Sequence, residues 1–108
     1  RSMFICFEKN KEYYRRLFEI TGQNSFGEFF AHYCEETFFC ILSRHPMKKM
    51  PCDLITPQSL AHYNALLLIE ILKLWLSSPK NVPAEKIFEA YQYIMRTPIL
   101  DMIQYPEI

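Results

Sequence analysis

The sequence predicts an all-α fold, an antiparallel bundle of four main helices followed by a short C-terminal turn. Three observations carry this. Pro46, Pro51, Pro57, Pro79, Pro83, Pro98 and Pro106 leave residues 1–45, 58–78, 84–97 and 99–105 as windows for continuous helix, because a proline inside a helix costs roughly 3 kcal/mol. The glycines are two, Gly22 and Gly27, and no Asn-Gly or Asp-Gly stands between alternating residues as a hairpin would require. Within the windows, apolar residues recur at spacings of three and four.

The first helix is expected from Ser2 to Thr21. Phe7, Tyr14, Leu17, Phe18 and Ile20 form its apolar side, beside Glu8, Lys9, Lys11, Glu12, Arg15 and Arg16. Gly22 is placed to stop it, since glycine takes the left-handed conformation without steric cost. Ser25-Phe26-Gly27-Glu28 fits a capping box, and the second helix follows from Phe26 to about Arg44. Its stripe is Phe26, Phe29, Phe30, Tyr33, Cys34, Thr37, Phe38, Ile41 and Leu42. His45 complements the dipole at its end.

His45 to Pro57, with three prolines and the Lys48-Lys49 pair, reads as a connecting loop. Thr56 caps a third helix and Pro57 occupies its first position, where a missing N–H does no harm. From Leu60 to Leu76 this helix is apolar nearly all round, interrupted by Asn64, Glu70 and Lys73. Such a helix must be buried on more than one face. One small core covers only one face, so the second calls for a partner. The fourth helix follows Asn81-Val82-Pro83, with Glu85 in its first turn and Ile87, Phe88, Tyr91, Ile94 and Met95 as its stripe. Pro98 ends it, and Ile99 to Ile103 form a short turn.

At 108 residues and 13.0 kDa the chain fits one domain over residues 1–108, able to bury roughly 65% of its unfolded surface. Twelve basic residues balance twelve acidic ones, which disfavours a free-standing binder of nucleic acid or anionic membrane. The chain opens on Arg1 rather than Met and is expected to be a fragment. Its first apolar run meets Glu8 too early for a signal peptide. The stretch from Ala65 to Leu76 contains Glu70 and Lys73 and falls short of the roughly 20 residues a membrane helix needs. A soluble, cytoplasmic protein is expected. Cys6, Cys34, Cys40 and Cys52 show neither a C-x-x-C pair nor a zinc spacing, and are expected as reduced, mostly buried thiols.

No phosphate loop, H-E-x-x-H or G-x-S-x-G occurs. His32, His45 and His62 are scattered, so no metal, cofactor or catalytic cluster is expected. Glu35-Glu36 reads as a solvated face opposite the aromatic stripe. Glu70 pairs with Lys73, reaches across an interface or faces a ligand. Phe18, Phe26, Phe30, Tyr33, Cys34 and Phe38 are candidates for lining an apolar pocket, with a Tyr or Asn64 as the polar contact. The plainer alternative is that they are core.

The order of these pieces resembles the C-terminal region of a tetracycline-repressor (TetR) family transcriptional regulator. Asn10-Lys11-Glu12-Tyr13-Tyr14-Arg15-Arg16-Leu17-Phe18 is similar to the family's N-x-x-Y-Y-x-x-L segment, and Ser25-Phe26-Gly27-Glu28-Phe29-Phe30 opens the next helix. Trp75-Leu76-Ser77-Ser78-Pro79, then Val82-Pro83-Ala84-Glu85-Lys86-Ile87, is similar to the passage joining its last two major helices. The sequence departs at Pro79, where glycine is commoner, and in the long loop between Pro51 and Pro57. The resemblance implies a homodimer formed by the third and fourth helices, with Leu66, Ile69, Glu70, Lys73, Leu74, Phe88, Tyr91 and Met95 as interface candidates. It also implies a small apolar or aromatic effector, and DNA binding only through an N-terminal helix-turn-helix outside this chain. A helical protein–protein adaptor without a ligand is the alternative function.

Overall fold

The computed structural model describes residues 2–20 and 25–106. It contains α1 (Ser2–Lys9), α2 (Lys11–Glu19), α3 (Phe26–Ser43), α4 (Pro57–Ser77), α5 (Ala84–Arg96) and a 3₁₀ turn (Ile99–Met102). Among the described residues there is no strand.

The single first helix expected from Ser2 to Thr21 is in fact two, which makes five α-helices rather than four. Asn10 separates them at φ −129° and ψ 43°. Asparagine suits such a break because its amide competes for neighbouring backbone groups. Packing exploits it: α1 lies against α5, while α2 lies against α3 and α4. One straight rod would not reach both. Thr21 and the expected stop Gly22 lie outside the described residues, and α2 closes at Glu19 with Ile20 extended.

The later boundaries follow local chemistry. Ser25 Oγ accepts from the Glu28 N–H at 3.2 Å, and Thr56 Oγ1 from the Ser59 N–H at 3.2 Å. Each satisfies a donor that the first helical turn leaves unpaired. The centre of the core is α4, whose Ala61, Ala65, Leu68, Ile69, Ile71, Leu72, Trp75 and Leu76 are buried, and it packs most extensively on α3. By length and composition α4 would span a bilayer. Here it has the position of a core helix, its buried face against α3 and α2.

Three groups hold the α4–α5 connection. Trp75 Nε1 donates to the Val82 carbonyl at 2.8 Å. Glu8 of α1 accepts from the Ala84 N–H at 2.7 Å. It thereby supplies the acceptor that Pro83, at the N-cap of α5, has no side chain to give. Lys11 Nζ donates to the Ser78 and Lys80 carbonyls at 3.3 and 3.4 Å, placing a cation at the negative end of α4. The break at Asn10 is therefore latched on both sides to the connection between the last two helices.

The surface does not close on one core. The radius of gyration is 16.1 Å, against about 13 Å for a compact domain of this length. The accessible surface is 8600 Å², against about 6,300 Å² for a monomer of this mass. Roughly a quarter of the surface is surplus.

The cysteines correct the expectation of mostly buried thiols. Only Cys34 is buried; Cys6, Cys40 and Cys52 are exposed, the first two on outward faces of α1 and α3 and the third in the loop. Burial pushes the Cys34 thiol up to about 11, so it stays protonated and packs as a small apolar group.

Candidate functional site

The aromatic excess of the first half is divided between a core and a cleft. Phe7 of α1 meets Tyr14 of α2 and Phe30 of α3 edge-on, with ring centres 4.4 and 5.6 Å apart, and Phe18 meets Phe26 at 5.1 Å. These edge-to-face contacts suit the charge distribution of aromatic rings. On the outer side of this cluster lies a cleft of about 370 Å³, lined by Met3, Cys6, Phe7, Tyr14, Phe26, Phe29, Phe30 and Tyr33. Its size falls at the lower end of small-ligand sites. Among the described residues the walls carry no carboxylate, ammonium or guanidinium group, and the polar atoms there are the Cys6 thiol and the hydroxyls of Tyr14 and Tyr33. Cys6 Sγ and the Tyr14 hydroxyl are 3.6 Å apart. That hydrogen bond, then burial, raises the Tyr14 pKa. The chemistry on offer is apolar contact, ring stacking and one or two neutral hydrogen bonds.

Of the residues expected to line a pocket, Phe26, Phe30 and Tyr33 do so. Cys34 is buried core and Phe38 is half-buried against that core, while Phe18 is buried and lines the second cleft, between α2, α3 and α4. Asn64 lies elsewhere: its Oδ1 accepts from the Tyr91 hydroxyl at 3.2 Å. That bond satisfies a phenol whose burial, with the neighbouring Cys34 adding to it, pushes its pKa up to about 12. Met3, Cys6, Phe7, Tyr14 and Phe29 also line the aromatic cleft and were not among those candidates. For Met3, Cys6, Phe7 and Tyr14 the signal was hidden by the break at Asn10 between α1 and α2; Phe29 belongs to the α3 apolar stripe, and its place in the wall follows from that spacing.

A second cleft of about 360 Å³ lies between α2, α3 and α4, with Phe18, Ile69 and Leu66 beside Glu28, Glu35, His62, Glu70 and Lys73. His62 Nδ1 and Glu35 Oε2 approach to 3.3 Å across α3 and α4. Glu35 is thus half-buried at a helix junction rather than part of a solvated face, while Glu36 is exposed and pairs with His32 at 3.1 Å. Glu70 and Lys73 are exposed on the lip, and among the described residues no ion pair joins them.

The interface candidates divide likewise. Leu66, Glu70, Lys73, Leu74 and Met95 are exposed, Leu74 to 69%. Ile69 and Tyr91 are buried inside the protomer and Phe88 is packed against the same core, so these three are not free to meet a partner. For Phe88 and Tyr91 the cover is α1, which brings Phe4 onto both; Ile69 instead lies at the cleft between α2, α3 and α4.

An all-helical domain with an apolar cleft between its first helices, and uncovered apolar surface on its last, has the build of a regulatory domain. Over residues 1–97 the sequence matches the family described as transcriptional regulator C-terminal region, of the TetR class. The chain belongs to that family, and so is the C-terminal region of a transcriptional regulator. Comparison with curated proteins and with solved structures found no match.

Proposed function

We propose that this domain senses a small, uncharged apolar or aromatic effector and dimerises, coupling effector binding to release of DNA by an N-terminal helix-turn-helix domain joined ahead of α1. The observation that carries the reading is the position of the aromatic cleft, whose wall includes Met3, Cys6 and Phe7 of α1. A ligand there bears on the helix that leads to the DNA-binding part. The same helix holds Glu8 on the N-terminus of α5, so its movement is felt at the last two helices. A ligand that prefers one placement of α1 shifts the population toward it. A symmetric dimer reads two half-sites at fixed separation, so a small change in the spacing of its heads weakens binding.

The surplus surface supports a homodimer. The exposed stripe of α4, Tyr63, Leu66 and Leu74 with Glu70 among them, is its centre. The cytoplasm is the expected location for a regulator of this kind.

A thermal-shift screen with a panel of neutral aromatic compounds tests the cleft. Binding at about 100 times the dissociation constant stabilises the folded state by about 2.7 kcal/mol, a clear rise in melting temperature. Phe29→Asp should abolish the rise while leaving the unliganded protein intact, because Phe29 is 72% exposed. A panel with no stabilising member, or an equal rise in the Phe29→Asp protein, would favour the adaptor function.

A further inference from the structure

The segment after α5 lies outside the family match, which ends at residue 97, and its chemistry is that of an interface. Between Pro98 and Pro106 the chain reads Ile99-Leu100-Asp101-Met102-Ile103-Gln104-Tyr105, with a single charge. All five of its large apolar or aromatic side chains are exposed, Ile99 to 78% and Tyr105 to 69%. The segment still has a defined conformation. Asp101 N–H donates to the Pro98 carbonyl at 2.9 Å and Ile103 N–H to that of Leu100 at 3.4 Å. Here apolar side chains are held in water on a backbone that Pro98 and the 3₁₀ turn already restrict, so docking would need little further ordering.

We propose that residues 98–105 dock on a second copy of this chain, against the outer face of its α4 around Tyr63, Leu66 and Leu74, each subunit clasping the other. The proposal rests on the dimer reading above. Area selects a second copy as the occupant. The surplus of about 2,300 Å² over a compact monomer matches one subunit's share of an obligate dimer, whose interfaces cover about 2,000–5,000 Å² in total. The outward side of α5 carries Lys86, Glu89, Gln92 and Arg96, so the exposed apolar surface of the last two helices is the α4 stripe and the end of α5 at Tyr93, Ile94 and Met95, which the tail continues.

Position agrees. Trp75 bonds to Val82, and Asn64 to Tyr91, so α5 runs antiparallel to α4. Its C-terminal end therefore lies by the N-terminal half of its own α4, at the edge of the exposed stripe that begins at Tyr63, from where residues 98–105 extend beyond the protomer's last helix. A two-fold axis through the α4 stripe makes every such contact twice.

Sedimentation equilibrium decides the matter, on the 108-residue chain, on a version ending at Thr97, and on the full chain carrying Ile99→Asp with Ile103→Asp. No residue of the 3₁₀ turn is buried, so both variants should keep the parent's helical circular dichroism. The expected result is a dimer dissociation constant raised about tenfold or more in both. An unchanged constant in either variant overturns the docking of the tail and leaves the dimer itself standing. Loss of helical signal would place the tail on its own protomer and also overturn it. A parent chain that is monomeric at about 100 μM overturns the dimer reading, and the clasp with it.

Discussion

Replacing Phe4 by alanine will cost this domain about 3–5 kcal/mol, a large share of the stability a small domain holds. Phe4 is 1% exposed. Its ring lies 5.5 Å from Phe88 and 6.1 Å from both Trp75 and Tyr91, joining α1 to α4 and α5 at once. An eight-residue helix has no stability of its own in water, so α1 exists because Phe4 and Phe7 are buried. Truncation leaves a cavity between three helices and also loosens Glu8 from the N-terminus of α5. Urea unfolding measures the effect as a lowered midpoint. Phe29→Ala is the control, expected to change stability by less than about 0.5 kcal/mol because its ring is outside the core. A loss under about 1 kcal/mol for Phe4→Ala would contradict the packing described.

In the proposed homodimer, Leu74→Asp will separate the subunits without unfolding them. Leu74 projects from α4 with no cover from its own protomer. Burying a leucine is worth about 1.5–3 kcal/mol, and in an isologous interface the loss occurs twice. The dimer dissociation constant should rise by about 100-fold or more, while the circular dichroism of the monomer matches that of the parent. Tyr91→Asp is the contrasting case. It places a charge among Phe4 and Cys34 and removes the hydroxyl that Asn64 accepts from, so the protomer itself unfolds. Size-exclusion chromatography with light scattering, beside far-ultraviolet circular dichroism, distinguishes the two. A Leu74→Asp protein that remains dimeric would move the interface off α4.

Helix positions were legible wherever the cause is local. Ser25, Thr56 and Pro57 announce their helix starts through short-range hydrogen bonds and fixed backbone angles, and Pro79 and Pro98 mark the ends. The break at Asn10 was not legible, since nothing near it forbids helix. It is imposed by where Phe4 and Phe18 must pack, which is a property of α4 and α5 more than 50 residues away. The same cause hid the latch. Glu8 and Lys11 read as solvated charges until the fold sets them against Ala84 and Ser78. The cleft was half visible: the α3 wall of Phe26, Phe30 and Tyr33 follows from helical spacing, but the α1 wall depends on the rotation that the break introduces. The family resemblance also put Ile69 and Tyr91 with Leu74 and Met95 among the interface candidates. Which of them face inward was decided by tertiary packing alone.

The central claim, that the cleft communicates with the last two helices through α1, has a built-in reporter. Trp75 is the only tryptophan. It packs on Phe4 of α1, bonds to Val82 in the α4–α5 connection, and is not among the residues lining the cleft. Its emission should be recorded while a neutral aromatic compound from the thermal-shift panel is titrated, with binding followed independently by equilibrium dialysis. Coupling predicts that the emission changes with the same saturation curve as binding, and that Phe29→Asp removes both. A compound that saturates the cleft while the Trp75 emission stays constant would contradict the account.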